Sequence, residues 1–452
     1  MKNITFPGGI HPPESKLTAL KAIEELSLPE RVMIPLFQHI GTPCEPLVKA
    51  GDRVKTGQKI GESSEPVSAS VHSSVTGTVV AVCYVTHPMG REINSIIIDT
   101  DDHEETVFDS SNVNEWTSKG SAKLKSIIQE AGIVSMGGDG LPAHIKLSPP
   151  AGRHVDTLII SGLESEPYLT SDYRIMTERP EDIITGIRIL MRILDVNDVF
   201  IAIEENKNDV FQKISSLIGA DAKIKCCSMK TKYPQGEEKL LIKAVCGREV
   251  PSGGWSLDCG CVVFNAGTVA AIMEAVCRNR PFIDRVISVS GPGVREPKNL
   301  KVRLGTSFQT VIDACGGLAD DCKAVIAGGP MTGVSQWNLD VPVVKTTSAI
   351  VCLTDKELQL RKAQACISCG ACLRACPMNL VPARIVQYAE TKNWSAAHKL
   401  GILDCIECGS CSYVCPAKIS LVHYIKWGKY ETNERLKREK TNAAKLKQKT
   451  GS

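Results

Sequence analysis

Cys366-x-x-Cys369-x-x-Cys372-x-x-x-Cys376-Pro377, followed by Cys405-x-x-Cys408-x-x-Cys411-x-x-x-Cys415-Pro416, decides how this chain is read. Three thiolates spaced in this way can wrap one face of an iron–sulfur cube. In proteins with two cubes, the fourth cysteine, followed by proline, ligates the other one. The spacing therefore predicts two [4Fe–4S] clusters. Cys366, Cys369, Cys372 and Cys415 would hold one, and Cys405, Cys408, Cys411 and Cys376 the other. The competing reading is a pair of zinc sites or a disulfide framework. Neither calls for a third Cys-x-x-Cys step or for the Cys-Pro ending. Two clusters side by side form an electron wire, and the rest of the chain must hold what feeds it or what drains it.

The 452 residues suffice for two to four domains, and 43% hydrophobic content is enough for real cores. A net charge of +3 and 5% aromatic residues argue against a nucleic-acid binder. Met1 to Pro7 is followed by no long apolar run, and no stretch of eighteen apolar residues occurs, so neither a signal peptide nor a membrane span is expected. Nineteen cysteines in such a chain point to a reducing cytoplasm, where thiolates serve as metal ligands. Eight are assigned to the clusters; the others need a separate account.

Outward from the cysteine motifs, the chain divides by pattern. Residues 29–82 read as a compact β module, with a strand at Arg31–Leu36, turn residues around Val54, a strand starting at Ile60 and a similar unit from Val71 to Val82. Hairpin halves of this kind resemble the barrel-sandwich (lipoyl-like) fold. The tip, Glu62-Ser63-Ser64-Glu65-Pro66, lacks the lysine that a swinging arm carries, so a structural module is expected. Asp99 to Glu105 reads as an acidic linker. Between 120 and 280, a helix at Ser121–Ala131, strands at Thr157–Ile160 and Val199–Ile203, and helices at Pro180–Leu194 and Asn208–Ile218 alternate as in a mainly parallel sheet. Arg285–Ser290 and Leu300–Leu304 alternate as a hairpin before a helix at Phe308–Ala314, which suggests a small β-grasp unit. Residues 355–430 read as helical outside the cluster loops, and 433–449 as a solvated, frayed basic tail.

Within the α/β region, Met136-Gly137-Gly138-Asp139-Gly140-Leu141-Pro142 is a glycine loop. Gly137, Gly138 and Gly140 would let backbone N–H groups approach a ligand, and Lys146 could meet a phosphate. Glu164 and Glu166 follow the strand ending at Ile160, where such sheets bind ligands. Surface charge on a loop is the plainer alternative.

These stretches resemble the RnfC family, the peripheral subunit of Rnf ferredoxin–NAD oxidoreductases. The likeness rests on Phe6-Pro7-Gly8-Gly9-Ile10-His11-Pro12-Pro13, Gln38-His39-Ile40, Tyr233-Pro234-Gln235-Gly236-Glu237, Ala327-Gly328-Gly329-Pro330-Met331 and the second cluster motif with its trailing Leu421-Val422-His423-Tyr424-Ile425. The middle region is also similar to the NADH-oxidising flavoprotein subunit of respiratory complex I. The resemblance implies a multidomain α/β chain. Its parts would be an N-terminal extension (1–28), a barrel-sandwich module (29–115), a Rossmann-like FMN- and NADH-binding α/β domain (116–280), an SLBB β-grasp module (281–350), a helical ferredoxin domain with two [4Fe–4S] clusters (351–430) and a basic tail (431–452). It implies FMN contacts at Gly137, Gly138, Gly140, Lys146, Glu164, Glu166, Asn265 and Thr268. It also implies an NADH-linked oxidoreductase, cytoplasmic or peripheral on the cytoplasmic face of the membrane, whose partners are the membrane Rnf subunits. An alternative is a soluble paralogue of the PrdC type, delivering electrons to an amino-acid (proline) reductase. A scaffold without flavin is a third reading.

The chain departs from the family pattern at Asp139, Leu141 and Ala143 of the glycine loop and at Ser161. A carboxylate at position 139 would repel a nucleotide phosphate, so Asp139→Ala is expected to tighten NADH binding. Asp258-Cys259-Gly260-Cys261, just ahead of Asn265, reads either as buried packing or as a redox dithiol near the flavin. Cys226-Cys227 reads as packing.

Overall fold

The computed structural model describes residues 4–109, 115–138, 140–358 and 362–450, with side chains as far as residue 442. Asp139 therefore lies outside the described residues.

The chain opens with a strap. Ile4 bridges to Met229 and Ile10 to Tyr233, both in the α/β domain. β1 (Ile23–Glu25) then lies parallel to residues 299–301 at the edge of the β-grasp sheet. The expected N-terminal extension is thus shared between two other units. A three-residue strand with no alternation of its own carries no local signal, because its pairing is supplied by a distant edge.

The barrel-sandwich module contains β2 (Arg31–Pro35), β3 (Glu45–Pro46), β4 (Arg53–Val54), β5 (Lys59–Glu62), β6 (Val71–His72), β7 (Gly77–Thr86) and β8 (Glu92–Thr100). Two sheets, ordered β2-β8-β7-β4 and β3-β5-β6, face each other. Alternate residues such as Val32 and Ile34, and Ile96 and Ile98, point between them and are fully buried. The 62–66 tip is docked, since the Pro66 carbonyl accepts from His144 Nε2 of the α/β domain at 3.1 Å. The expected acidic linker is likewise no linker. Asp99 pairs with Arg31 at 2.6 Å, Asp101 with Arg53 at 3.0 Å, Glu105 with Lys55 at 2.9 Å and Glu104 with Arg303 at 2.8 Å. The carboxylates answer basic residues on neighbouring strands, which charge counting along the chain does not reveal.

Three buried histidines are expected to make this module acid-sensitive. Burial first, and nearby cations second, hold His39 at about 4, His72 at about 3 and His87 at about 4. At His39 the reason is visible: Nε2 accepts the Ala69 N–H at 3.2 Å, and Nδ1 lies 3.1 Å from the Ile40 carbonyl. The neutral ring fills both contacts, and a second proton would displace the Ala69 amide. Unfolded histidine takes up a proton near pH 6.5, so the unfolded chain binds more protons below that value. Stability is present above pH 6.5 and is lost as pH falls toward 4. The expected loss is about 2 kcal/mol per histidine by pH 5. Hydrogen exchange of peptides from residues 31–100 should accelerate between pH 7.5 and 5, after correction for intrinsic rates. His39→Gln should remove about 2 kcal/mol of that change; an unchanged pH dependence would refute the argument.

The α/β domain holds α1 (Ser121–Glu130), α2 (Ala143–Lys146), β9 (Thr157–Gly162), α3 (Ser171–Glu178), α4 (Pro180–Leu194), β10 (Asp198–Glu204), α5 (Asn208–Ile218), β11 (Ile224–Met229), α6 (Glu238–Cys246), β12 (Cys261–Asn265) and α7 (Ala266–Arg278). Local chemistry sets the ends of α4: Pro180 starts it, Glu181 and Asp182 face its positive end, and Asp195 in the left-handed region stops it. All four strands are parallel, in the order β11-β10-β9-β12. The chain leaves β9 toward β10 on one side and returns to it with β12 on the other. The two connections diverge at the C-terminal ends of β9 and β12, which is where an open parallel sheet forms a crevice.

β13 (Asp284–Ser290), β14 (Lys298–Arg303), α8 (Phe308–Asp313), β15 (Cys322–Ala327), β16 (Val334–Gln336) and β17 (Ala349–Thr354) complete the β-grasp unit in the order β1-β14-β13-β17-β15-β16. β17 pairs with both β13 and β15, so this unit runs to Thr354, past the expected boundary at 350.

The last domain has α9 (Asp355–Leu358), α10 (Ala371–Ala375), α11 (Pro382–Glu390), α12 (Trp394–Lys399), α13 (Ser410–Tyr413) and α14 (Leu421–Thr450). Ile385, Ala397, Ile402 and Ile425 form its core. The backbone repeats itself: Ser368, Gly370 and Asn379 have positive φ, as do Glu407, Gly409 and Lys418 at the spacing that separates Cys366 from Cys405. The expected frayed tail is a continuation of α14. Lys, Arg and Glu are good helix formers, and Arg435–Glu439 at 2.7 Å and Lys437–Glu434 at 2.8 Å pair along its surface.

Candidate flavin crevice and cluster sites

Ser161 at the end of β9 stands beside Asn265 at the end of β12. From there a chain of hydrogen bonds spans the crevice. Met136 N donates to Thr268 Oγ1 at 2.9 Å, and Thr268 Oγ1 donates to Asn265 Oδ1 at 2.5 Å. Asn265 Nδ2 donates to Asp172 Oδ2 at 2.7 Å, and Gly267 N to Asp172 Oδ1 at 3.0 Å. Thr268 and Asn265 are one helical turn apart at the start of α7, so one side chain can brace the other. The glycine loop is thereby tied to α7 and α3. Burial, reinforced by the neighbouring Glu164 carboxylate, pushes Asp172 up to about 6.

Glu164 accepts the Asp172 and Tyr173 N–H groups at 2.8 and 2.9 Å and the Ser171 hydroxyl at 3.2 Å, which closes the N-terminus of α3. Its other neighbour is the Lys207 ammonium at 3.8 Å, which pairs with Glu204 at 2.6 Å and lies 5.4 Å from the centre of the Tyr173 ring. Glu166 reaches the opposite way, to Met331 N at 3.0 Å and Thr332 Oγ1 at 2.5 Å of the β-grasp unit. Lys16 of the strap holds the loop between them, donating to the carbonyls of Glu164, Glu166 and Leu169 at 2.5, 2.8 and 2.9 Å.

The structure therefore brings Gly137, Glu164, Asn265 and Thr268 to one crevice and places the remaining expected residues around it. A side chain at Gly137 would come no nearer than 3.9 Å to Asn265 Cβ, and one at Gly138 would meet nothing within 4 Å. Gly138 has φ +121°, so the backbone there is bare and open toward a ligand. This cradle fits a flavin phosphate or ring edge. Gly140 packs instead against His39 and the Thr346 methyl. Lys146 is buried, its ammonium bonded to Glu238 at 2.7 Å and to the Val263 carbonyl at 3.1 Å. Asp172, Lys207 and Lys16 were missed by sequence reasoning. The rule that sheets bind ligands beyond their strand ends, applied to β10 as it was to β9, would have singled out Lys207.

Cys259 and Cys261 are not near the flavin crevice, contrary to the dithiol expectation. β12 begins at Cys261 and ends at Asn265, and four steps of roughly 3.3 Å put about 13 Å between them. A parallel strand presents only its C-terminal end to the crevice; closeness in sequence here means opposite ends of one strand.

In the ferredoxin domain, Cys376, Cys405, Cys408 and Cys411 line one cavity. Cys366, Cys369, Cys372 and Cys415 line another. Each cavity is lined by four cysteines, a donor set whose chemistry suits a four-iron cube. The two sites differ in position. Tyr233 Oη donates to the Cys408 carbonyl at 2.6 Å, and Gly9 N donates to the Ala375 carbonyl at 3.0 Å, beside Cys376. A Cβ on Gly409 would sit 3.0 Å from the Met331 carbonyl, on the loop that Glu166 binds. The first cavity thus abuts the crevice side. The second faces outward, with Cys366 and Cys369 exposed beside Ile367, which is 68% exposed.

Family models agree with this layout domain by domain. The RnfC barrel sandwich hybrid domain matches residues 4–103, the Nuo51 FMN-binding domain 128–274, the SLBB domain 286–335 and the 4Fe-4S dicluster domain 359–439. The fold and its sites define an electron-transferring iron–sulfur flavoprotein, an oxidoreductase with FMN and two [4Fe–4S] clusters. The chain is 44% identical over 438 residues to the C subunit of the proton-translocating ferredoxin:NAD(+) oxidoreductase complex of Clostridium ljungdahlii, with 96% of each chain covered. It is 41% identical to the C subunit of the Na(+)-translocating ferredoxin:NAD(+) oxidoreductase complex of Acetobacterium woodii, covering 95% of this chain and 98% of that one. It is 38% identical to the C subunit of the ion-translocating oxidoreductase complex of Rhodobacter capsulatus, covering 97% and 85%. The chain belongs to the RnfC family. Full-length identity to these proteins does not favour the PrdC-type alternative, even though the glycine loop departs from the pattern.

Proposed function

We propose that the chain exchanges hydride equivalents with NAD(H) at the crevice and passes single electrons through the Cys405 site and then the Cys366 site to a redox partner. In this reading it is the peripheral subunit of an ion-translocating ferredoxin–NAD oxidoreductase complex. The observation that carries this order is the placement of the two thiol sets, one against the crevice side and one at the surface. When bound, the flavin converts an electron pair into single electrons and the clusters carry those electrons onward. The protein's own work is to hold the geometry. Met136, Asn265, Thr268 and Glu164 set the crevice, Glu166 and Met331 link it to the β-grasp loop, and Tyr233 fixes the Cys408 loop. Ile367, Leu373 and Val381, all substantially exposed, surround the outer site and suit a protein partner's contact face.

Among the described residues no helix is long and apolar enough to cross a membrane. Association with a membrane complex on its cytoplasmic face would therefore run through partner subunits.

The order is tested with Cys411→Ser, which removes a ligand of the inner site. NADH should reduce the flavin at the wild-type rate, followed by stopped-flow absorbance under anaerobic conditions. Reduction of the Cys366 site, followed by rapid-freeze paramagnetic resonance, should fail in the time the wild type needs. Undiminished reduction of that site would mean that electrons do not pass through the inner cluster.

A further inference from the structure

Eleven cysteines lie outside the two cluster sets; five are buried, five half-buried and Cys83 is exposed. One group combines three thiols with an arginine. Cys246 is the last residue of α6, half-buried, where Gly247 with φ 69° turns the chain away. Cys246 and Cys259 pack against the apolar cluster that contains Cys261, and the Cys261 thiol donates to the Cys259 carbonyl at 3.7 Å. Arg248 Nη1 lies 3.8 Å from Cys261 Sγ, donates to the Cys259 carbonyl at 3.0 Å and pairs with Asp156 at 2.6 Å. Cys259 Sγ itself donates to the Ser256 carbonyl at 3.1 Å, within its own turn.

The three thiols are not equivalent. Cys261 is fully buried, whereas Cys246 has access to solvent. Burial raises the thiols of Cys44, Cys226, Cys227, Cys277, Cys315, Cys322 and Cys352. Cys246 goes the other way, because the Cys261 S–H donates to its thiolate, with Arg248 adding positive charge. Burial and the nearby Cys259 and Asp156 groups oppose this shift without reversing it. A solvent-accessible thiol beside a buried one is the arrangement from which disulfide exchange proceeds: the first can meet an external disulfide and the second can resolve the adduct.

We propose that Cys246 and Cys261 are a thiol–disulfide exchange site for low-molecular-weight disulfides, with Cys246 the attacking sulfur and Cys261 the resolving one. The Cys246 thiolate attacks one sulfur of an external disulfide RSSR. An S–S bond forms to the protein, the external S–S bond breaks, and RS⁻ leaves. The Cys261 thiol gives its proton to that RS⁻ and attacks the Cys246 sulfur, expelling the second RS⁻, which takes a proton from water. Counting the proton that Cys246 released on ionising, two protein thiols and one RSSR become one protein disulfide and two RSH. The protein loses two electrons and the external disulfide gains them. The new bond ties the end of α6 to the start of β12 and closes a ring around residues 247–260. Ser252 in that ring donates to Asp404 at 2.6 Å, next to the cluster ligand Cys405.

The test uses the anaerobic holoprotein with oxidised glutathione, followed by alkylation of remaining thiols and peptide mass spectrometry. Iron and FMN contents are measured on each variant to establish that it is folded and loaded. Wild type should give a peptide pair linked through Cys246 and Cys261, with slowed hydrogen exchange in 247–258. Cys261→Ser should accumulate a stable glutathione adduct on Cys246. Cys246→Ser should lose both the linked pair and the adduct, leaving Cys261 unmodified. Linkage through Cys259, an adduct on Cys261 in the Cys246→Ser protein, or no modification of Cys246 in loaded wild type would each overturn the proposal.

Discussion

Cys376→Ser is expected to empty the cavity that it shares with Cys405, Cys408 and Cys411 and to spare the one beginning at Cys366. Iron should fall from about eight to about four per chain, with sulfide in parallel. The reason is geometric. Cys376 belongs to the first sequence motif, yet it faces the thiols of the second, and Cys415 makes the reciprocal crossing. Serine is a poor replacement for a thiolate on iron, and the inner site is closed. Burial pushes Cys405 up to about 11 and Cys411 up to about 12, so these thiols ionise at neutral pH only when a metal compensates. The paired variant Cys415→Ser should remove the other cluster, and paramagnetic resonance of the two reduced variants should show complementary signals. Loss confined to the Cys366 site in Cys376→Ser would overturn the crossed arrangement, as would full iron content.

Thr268→Val should strip flavin from the protein while leaving iron in place. The substitution keeps shape and removes a hydroxyl that joins Met136 N to Asn265 Oδ1. Thr268 is fully buried, so water does not replace it. A buried group left without its partner costs about 1–3 kcal/mol. If that strain is released by movement of the glycine loop, flavin affinity falls by roughly tenfold to a hundredfold. Thr268→Ser, which restores the hydroxyl, should recover most of it. FMN content after gel filtration and the dissociation constant on reconstitution report the effect. Wild-type retention in Thr268→Val would show that the flavin does not rely on this brace.

The cluster ligands were legible in the sequence because the chemistry of a four-iron cube imposes its spacing on neighbouring residues. The same holds for the ends of α4, whose proline, acidic first turn and left-handed Asp195 act within a few residues. Strands β9 and β10 were visible as short apolar runs, and the alternation of strands and helices implied a parallel sheet. What sequence could not supply was partnership across distance. β1 has no pattern of its own and exists because β14 offers an edge. Asp99 to Glu105 reads as an acidic linker and is held by Arg53, Lys55 and Arg303. The basic tail reads as too polar to order, yet its helix needs only good helix formers and pairs along one face. Cys259 and Cys261 sit close to Asn265 in number and at the other end of β12 in space, because a strand carries its two ends apart. Cys246, fifteen residues from Cys261 along the chain, becomes its neighbour only when α6 folds back on β12. Local composition determined which elements form and which cofactors the thiols serve; the tertiary fold decided which charges, thiols and strand edges meet, since those contacts are closed by loops of tens to hundreds of residues that leave no periodic trace in sequence.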